Sequence, residues 1–185
     1  LADSSGTIWL AGWMPKAWGI ARYDPAKNKF VEISDSTINK KTLGVFVGDY
    51  YNSIGLAANN NLLFSAYGGW NRTNEKGRII QKVDTHGYDI ADTYVAGISE
   101  DQHGNVFFGT REGLHVWLKR KNRVVRLSQI DGLPTDYLVY AHKKLLNGKL
   151  ALGIPNGILF IDTEKVLRSQ LTNRLSLTQT GVNGI

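Results

Sequence analysis

Residues 104–109 read Gly104-Asn105-Val106-Phe107-Phe108-Gly109, in which a turn residue leads into an apolar run that closes on a small residue. The same pattern returns at Gly148-Lys149-Leu150-Ala151-Leu152-Gly153. Two earlier copies begin at Gly6 and Asn60, so successive copies start 54, 44 and 44 residues apart. Such a period indicates that one supersecondary unit is used several times along the chain.

A second apolar segment follows each copy. It occupies residues 113–117 after the third copy and 157–161 after the fourth, again 44 residues apart. The corresponding segments of the first two units are residues 19–23 and 77–81. A further apolar run precedes three of the copies, at residues 54–58, 94–99 and 137–142.

The apolar runs are rich in Val, Ile, Phe, Tyr and Trp and are separated by Gly, Asn and Asp, which predicts short β-strands joined by turns. In the third unit the strands are expected near residues 94–100, 105–110, 113–118 and 123–127. No segment between residues 1 and 162 has a helical period. Tryptophans within predicted strands, such as Trp9 and Trp117, are expected in the core.

Four short strands in a unit of about 44 residues are typical of one blade of a β-propeller. The sequence therefore predicts an all-β fold with about four four-stranded repeats. The alternative is a sandwich or barrel whose hairpins happen to have similar lengths. The units are placed at about residues 1–34, 51–92, 93–130 and 135–162.

Several motifs resemble the two-component regulator propeller repeat of bacterial sensor ectodomains. That repeat combines a Gly-Leu-Pro turn, an Asp-x-x-Gly turn, a Trp-containing strand ending in Gly-Thr, and a Gly-Leu pair before a closing strand. This chain has Gly132-Leu133-Pro134, Asp101-Gln102-His103-Gly104, Gly109-Thr110 and Gly113-Leu114, and it keeps the Trp in Asp3-Ser4-Ser5-Gly6-Thr7-Ile8-Trp9. It departs from the motif at Ala58-Asn59-Asn60, which replaces the acidic turn, and at Phe107 and Ala151, which replace the Trp.

The resemblance covers roughly residues 1–162 and implies a seven-bladed propeller or two propellers in tandem, which needs more than 185 residues. The chain is therefore expected to be a piece of a longer protein whose remaining blades are its partners, with two arcs that complete each other as the alternative. Leu1 opens without the features of a signal peptide. The tail, residues 163–185, resembles the start of an immunoglobulin-like domain, with a closing strand of the propeller as the alternative.

The loops between the second and third strands of the first two units are predicted to be long and to face a ligand. They contain Trp13, Lys16 and Trp18 in the first unit and Trp70, Asn71 and Arg72 in the second, and Arg111 lies in the short loop of the third. Trp stacks on sugar rings and cations, while Arg and Lys pair with carboxylate or sulfate. These residues predict a site for a carbohydrate or another anionic small molecule. The alternative is that the tryptophans pack beneath their loops.

Other chemistry has little support in the sequence. The absence of Cys excludes disulfides, Cys-ligated zinc and a cysteine nucleophile, and the four His residues lack metal-ligand spacing, so no metal or cofactor is expected. No apolar run is long enough to span a membrane. His115 and His142 are expected to be structural.

The net charge is +6, and the basic run at residues 119–123 is interpreted as a solvated hairpin tip rather than a nucleic-acid site, because no aromatic residues are interleaved with it.

Three functions remain open at this point. The first, which the resemblance implies, is a non-catalytic periplasmic sensor module that pairs as a homodimer and controls a histidine kinase or diguanylate cyclase. The second is a propeller-fold lyase or glycosidase, for which the predicted loops offer only Glu75 and Glu112 as acid and base. The third is a protein-binding scaffold.

Overall fold

The structure is a computed structural model that describes residues 1–13, 18–33, 46–48, 50–138, 141–145 and 147–172, with only the backbone given at Trp13, Trp18 and residues 169–172. The described chain forms four antiparallel sheets, numbered 1 to 4 in chain order, followed by one α-helix. Within every sheet the strands are hydrogen-bonded in sequence order.

The strands are short and follow one another closely. Sheet 1 contains β1 (Trp9–Trp13), β2 (Trp18–Asp24) and β3 (Lys29–Glu32). Sheet 2 contains β4 (Tyr51–Leu56), β5 (Leu62–Ala66), β6 (Gly69–Thr73) and β7 (Ile79–Asp84). Sheet 3 contains β8 (Ala96–Glu100), β9 (Val106–Thr110), β10 (Gly113–Leu118) and β11 (Arg123–Leu127). Sheet 4 contains β12 (His142–Lys144), β13 (Lys149–Ile154) and β14 (Gly157–Asp162), and the helix α1 spans Thr163–Thr172.

The sequence repeat corresponds to a repeat of backbone conformation. The residues that open the four copies, Gly6, Asn60, Gly104 and Gly148, have φ angles of 81°, 58°, 82° and 77°. Asn is the residue after Gly that most readily adopts this left-handed conformation, which explains why the second copy tolerates it. In two of these turns an aspartate, Asp3 or Asp101, accepts hydrogen bonds from the backbone N–H groups two and four residues later. Asp101 therefore forms the turn that the Asp-x-x-Gly motif indicates.

The strands predicted for the third unit are confirmed, because sheet 3 has all four within two residues of the expected bounds. In the second unit the prediction is wrong for the third strand. Residues 69–73 form that strand, and residues 79–81 belong to the fourth. In the fourth unit the first strand begins at His142 rather than at 137, because the backbone N–H of Leu138 instead donates to the carbonyl of Thr110 in sheet 3.

The third strand of sheets 2, 3 and 4 begins with a glycine, and the three glycines share one backbone conformation. Gly69, Gly113 and Gly157 lie 44 residues apart and have φ angles of 149°, 140° and 153°. A Cβ atom would lie 2.0 Å from the Val83 carbonyl oxygen at Gly69 and 2.3 Å from the Leu127 carbonyl oxygen at Gly113. At Gly157 the space is open, because sheet 4 has no fourth strand among the described residues.

Three hydrophobic clusters join consecutive sheets. In β5, Leu62 and Phe64 pack toward sheet 1 while Leu63 packs toward sheet 3. In β9, Phe108 packs toward sheet 2 and Phe107 toward sheet 4. Burial on both faces explains why these strands read as continuous apolar runs. The buried Trp9 and Trp117 confirm the prediction that the strand tryptophans belong to the core.

The two ends of this stack are different from its middle. Ile158 and Phe160 on sheet 4 are 63% and 62% exposed, and Ile8 and Leu10 of the first unit are also exposed. Each end sheet therefore presents apolar side chains that no other described residues cover. Exposed apolar faces of this kind are a property of surfaces that meet another element.

The first ten residues of the tail, Thr163–Thr172, form a helix, and the two predictions made for the tail remain predictions. Val166 and Leu167 pack on the cluster between sheets 3 and 4, and the Thr163 hydroxyl donates to the Gly148 carbonyl. Residues 173–185, which carry the motif resembling an immunoglobulin-like domain, lie outside the described residues. Within the described ranges, no helix has the length and apolar character needed to cross a membrane.

Candidate ligand-binding site

The strand order brings two kinds of loop to one end of the stack. Because the strands alternate in direction, the hairpin between the second and third strands lies at the same end as the chain that enters the first strand. We call this the upper end. It contains the hairpins at residues 67–68, 111–112 and 155–156 and the chain leading into β4, β8 and β12.

Arg111 and Asp92 form an ion pair at the upper end. Arg111 donates from Nη2 to Asp92 Oδ1 at 2.6 Å and from Nε to both oxygens at 3.2–3.3 Å, and its backbone N–H donates to Oδ2 at 2.8 Å. The Asp92 side chain is 3% exposed and that of Arg111 is 53% exposed. The pair therefore holds the guanidinium in place while half of its surface remains open.

The Asp92 carboxyl is ionised in this setting. Burial is the largest influence and would raise its pKa, but the hydrogen bonds from the Arg111 side chain and from the backbone of Tyr94 and Arg111 together lower the pKa below its ordinary value. The same hydrogen bond raises the pKa of Arg111. Both partners therefore carry their full charge at neutral pH, and the pair as a whole is neutral.

A group of tyrosines lies beside this ion pair. The Arg111 guanidinium lies 5.6 Å from the centre of the Tyr94 ring, and Tyr94 meets Tyr67 edge to face with ring centroids 5.0 Å apart. Tyr67 meets Tyr50 in the same way at 5.5 Å. Burial, followed by the proximity of Tyr67 and Tyr137, raises the pKa of Tyr94. We call Tyr50, Tyr67, Tyr94, Tyr137 and Arg111 the tyrosine–arginine cluster.

Backbone hydrogen bonds fix the cluster across two sheets. Tyr67 and Tyr94 form an isolated antiparallel bridge, and the N–H of Gly68 donates to the carbonyl of Thr93 at 2.8 Å. The N–H of Tyr67 donates to the carbonyl of Tyr50 at 3.0 Å. The hairpin of sheet 2 is thereby tied to the chain entering sheets 2 and 3, so the aromatic rings are held in place without a ligand.

The structure corrects the placement of Trp70. It lies in β6 rather than in a loop, and its side chain is fully buried between sheets 2 and 3. Its ring packs against those of Phe108 and Trp117, with centroids 6.4 and 5.8 Å away. The side chain is part of the core and has no surface to offer a ligand.

Asn71 and Arg72 are corrected in the same way, because both lie in β6 and are buried. Asn71 exchanges two hydrogen bonds with the backbone of Val47, at 2.7 and 2.9 Å. Arg72 donates from Nη1 to Glu100 at 2.9 Å. These polar groups bind other parts of the protein, so the described structure assigns them to its interior.

The remaining predicted residues divide into two groups. Arg111 lies at the upper end and is accessible there, as described above. Trp13 and Trp18 form the last backbone pair of β1 and β2 and so flank the upper-end hairpin of sheet 1, while their side chains and Lys16 lie outside the described residues. A contribution of these three residues to a ligand site remains a prediction.

The tyrosines were not predicted from the sequence, although the repeat could have revealed them. Tyr50 and Tyr94 are 44 residues apart, and Tyr137 follows 43 residues later. Extending the repeat from the strands to the residues just before the first strand of each unit would therefore have found three of the four tyrosines.

The described residues offer little that could act as a catalytic acid and base. Glu112 lies in an upper-end hairpin, but Glu75 lies in the hairpin between β6 and β7, at the opposite strand ends. Burial is the main reason why the pKa values of His115 and His142 fall to about 4, which leaves both imidazoles neutral near pH 7. Over the part of the chain that the structure describes, no three His, Asp or Glu side chains come together as metal ligands.

No protein-family model matches the sequence, and no curated protein matches it. Solved structures do match the fold. The extracellular domain of BT3049 from B. thetaiotaomicron, assigned to a hybrid two-component system, is similar with a TM-score of 0.71 and 19% identity, over 92% of this chain and 22% of that one. The corresponding domain of BT4673 from the same organism is similar with a TM-score of 0.65 and 19% identity, over 89% and 22%.

A virginiamycin B lyase from Staphylococcus aureus is also similar, with a TM-score of 0.57 and 15% identity, over 86% of this chain and 53% of the lyase. At these identities the likeness concerns the fold alone, and it supports a propeller-like arrangement of the four sheets. The chain spans about a fifth of the length of the two extracellular domains.

Proposed function

We propose that the chain is part of a non-catalytic, periplasmic sensor domain of a bacterial two-component-type signalling protein. The four sheets would be consecutive blades of a seven-bladed propeller, and the exposed faces of sheets 1 and 4 would meet its remaining blades. The fold similarity to extracellular domains of two-component systems supports this proposal. A homodimeric ectodomain and a histidine kinase or diguanylate cyclase output belong to the same proposal.

The tyrosine–arginine cluster is the observation that carries the ligand-binding part of this function. Aromatic ring faces stack on the C–H faces of sugars, and a guanidinium held by a buried carboxylate is a fixed hydrogen-bond donor. The Asp92–Arg111 pair is neutral, so the site accommodates an uncharged oligosaccharide as well as an acidic one. We place the ligand at the upper end, with Arg111 as its main polar contact.

The fold similarity to virginiamycin B lyase supports an enzyme as the second candidate function. Hydrolysis or lyase chemistry requires an acid and a base on either side of the scissile bond. Glu75 and Glu112 lie at opposite strand ends, so they do not form the acid–base pair that the sequence suggested. The sensor is therefore the function that the geometry supports better.

Binding of oligosaccharides to the purified full-length protein tests the proposal. We expect a neutral or acidic oligosaccharide to raise the melting temperature, since a ligand that binds only the folded state stabilises it. Arg111→Lys keeps the charge but removes the fork of donors and should weaken binding about tenfold, while Tyr50→Ala should remove a stacking surface.

Arg120→Lys and Tyr23→Ala, at the opposite strand ends, are the matched controls and should bind as tightly as the unmodified protein. Equal loss in the test and control variants would refute the site. Turnover of a bound sugar would refute the non-catalytic assignment.

A further inference from the structure

The positive charge of the protein is concentrated in three equivalent hairpins. These join the last two strands of sheets 1, 2 and 3, at residues 24–29, 74–78 and 119–123, and we call them the outer hairpins. They contain eight of the 22 Lys and Arg residues and two of the 16 Asp and Glu residues. The rest of the chain has 14 of each and is neutral, so the net charge of +6 resides in the outer hairpins.

The cations of the outer hairpins are directed to solvent. All eight side chains are exposed: Lys27, Lys29, Lys76, Arg78, Lys119, Arg120, Lys121 and Arg123. Among the described residues, Lys27 is the one member with a carboxylate partner, Asp24 at 3.1 Å. Their charge is therefore largely uncompensated by the protein and available to an anionic partner.

Apolar side chains accompany these cations. Phe30 follows Lys29 and is 42% exposed, and Ile80 lies two residues after Arg78 and is 51% exposed. Exposed aromatic and aliphatic side chains next to Lys and Arg are the combination found in segments that lie at a membrane interface. A surface for single-stranded nucleic acid would favour aromatic residues interleaved with the charges, and none occurs within residues 119–123, the most basic of the three hairpins.

The arrangement of the outer hairpins also suits an extended anionic surface. They occupy the same position in three successive sheets, at the strand ends opposite the upper end, so they form a row rather than a pocket. A row of separate cationic tips matches an extended array of charges better than a single small anion. Each Lys or Arg near an anionic bilayer adds to the attraction, and the attraction extends over about one Debye length.

We propose that the three outer hairpins dock the protein on the surface of an anionic phospholipid bilayer. The cations would lie at the level of the phosphate groups, and Phe30 and Ile80 would reach the boundary with the acyl chains. The row is on the opposite strand ends from the tyrosine–arginine cluster, so docking leaves the upper end open. This inference is independent of the ligand proposed above.

Cosedimentation with vesicles tests the proposal. We expect the protein to bind vesicles of phosphatidylcholine with phosphatidylglycerol and to bind vesicles of phosphatidylcholine alone much more weakly, with binding decreasing as salt is added. Replacing Lys119, Arg120, Lys121 and Arg123 by Gln should weaken binding by about tenfold or more, given the contribution of each cation. Phe30→Ser and Ile80→Ser should weaken it further.

The matched control replaces Lys82, Arg126, Lys143 and Arg168 by Gln. These four side chains are exposed and lie within strands or in α1 rather than in a hairpin at the docking end, and their replacement lowers the net charge by the same amount. This control should keep binding within about twofold, because the hairpins are intact. Equal losses in both variants would overturn the proposal in favour of a nonspecific effect of total charge. Tighter binding to double-stranded DNA than to the anionic vesicles would also overturn it.

Discussion

Arg72 and Glu100 form an ion pair that joins sheets 2 and 3 in the interior of the protein, with Nη1 of Arg72 2.9 Å from Oε1 of Glu100. The second carboxylate oxygen of Glu100 accepts a hydrogen bond from the N–H of Ala58 at 2.8 Å. One buried carboxylate therefore links β6, the turn before β5 and β8. It fixes how the two sheets sit against each other.

Removing one partner of this pair should be costly. We expect Glu100→Ala to lower the free energy of unfolding by about 3 to 5 kcal/mol, because the Arg72 guanidinium would remain buried without its charge partner. Arg72→Met combined with Glu100→Leu should cost less than the sum of the single changes, since no unpaired charge is left. Urea titration of the unmodified protein, Arg72→Met, Glu100→Leu and the double variant measures this coupling, and additive effects would contradict it.

The three glycines that open the third strands provide an internal comparison. Gly69→Ala and Gly113→Ala should each destabilise the protein by about 2 to 4 kcal/mol. The alanine would have to adopt an unfavourable positive φ, and its methyl group would clash with a carbonyl of the fourth strand. Gly157→Ala has the same φ but open space, so we expect a loss of only about 1 kcal/mol. Thermal unfolding of the three variants checks the order. A loss at Gly157 as large as at Gly113 would indicate that another strand covers β14.

Stability should decrease on acidification because His115 is buried and both imidazole nitrogens of His142 are buried. The pKa of His115 falls to about 4 through burial and, to a lesser extent, nearby Arg126, and burial lowers that of His142 to about 4 as well. Below the ordinary pKa of 6.5 the unfolded chain takes up protons at these positions while the folded protein does not. The stabilisation is complete above pH 6.5 and is lost as the pH falls toward 4, by up to about 3 kcal/mol for each residue.

Urea titrations between pH 7 and pH 4 measure this slope. His115→Gln and His142→Gln should each reduce the slope, because Gln does not titrate. If the double variant loses stability as steeply as the unmodified protein, other groups cause the acid sensitivity.

Asp92 should be needed to hold Arg111. We expect Asp92→Asn to lower the free energy of unfolding by about 1.5 to 3 kcal/mol, the range for hydrogen bonds to a charged group, and to weaken ligand binding as well. Glu112→Gln is the control, since the Glu112 side chain is 44% exposed and Arg126 lies 4.0 Å away. Denaturation and binding measurements on both variants check the difference. Equal effects of the two changes would count against a positioning role for Asp92.

Local patterns were sufficient to predict most strands but not the burial of polar side chains. Gly104 and the apolar run after it determine a turn and a strand within a few residues, so the strands of sheet 3 are predictable from sequence. Asn71 and Arg72 find their partners, Val47 and Glu100, 24 and 28 residues away, on segments whose approach no local pattern reveals. From the sequence alone, a tryptophan and an arginine that follow two glycines suggest an exposed loop. In the structure these side chains are buried because the neighbouring sheet supplies their partners.

The candidate site was predictable in part for a related reason. Arg111 occupies a hairpin defined by the repeat, so its position at one end of the stack follows from the strand order. Tyr50, Tyr94 and Tyr137 lie in the less regular chain that leads into the first strands, and Tyr67 lies in the hairpin between β5 and β6. Only the structure shows that Tyr50, Tyr67 and Tyr94 meet ring to ring.

Among the described residues, three hydrophobic clusters serve four sheets, so the middle sheets have two neighbours and the end sheets have one. The stability of such a linear array is close to a sum of contributions from each unit and each interface. Opening should therefore progress inward from the ends, with the amide protons of β5 and β9 exchanging most slowly with solvent. Closure into a ring would give every sheet two neighbours and would remove that gradient, so hydrogen exchange distinguishes an open arc from a completed circle.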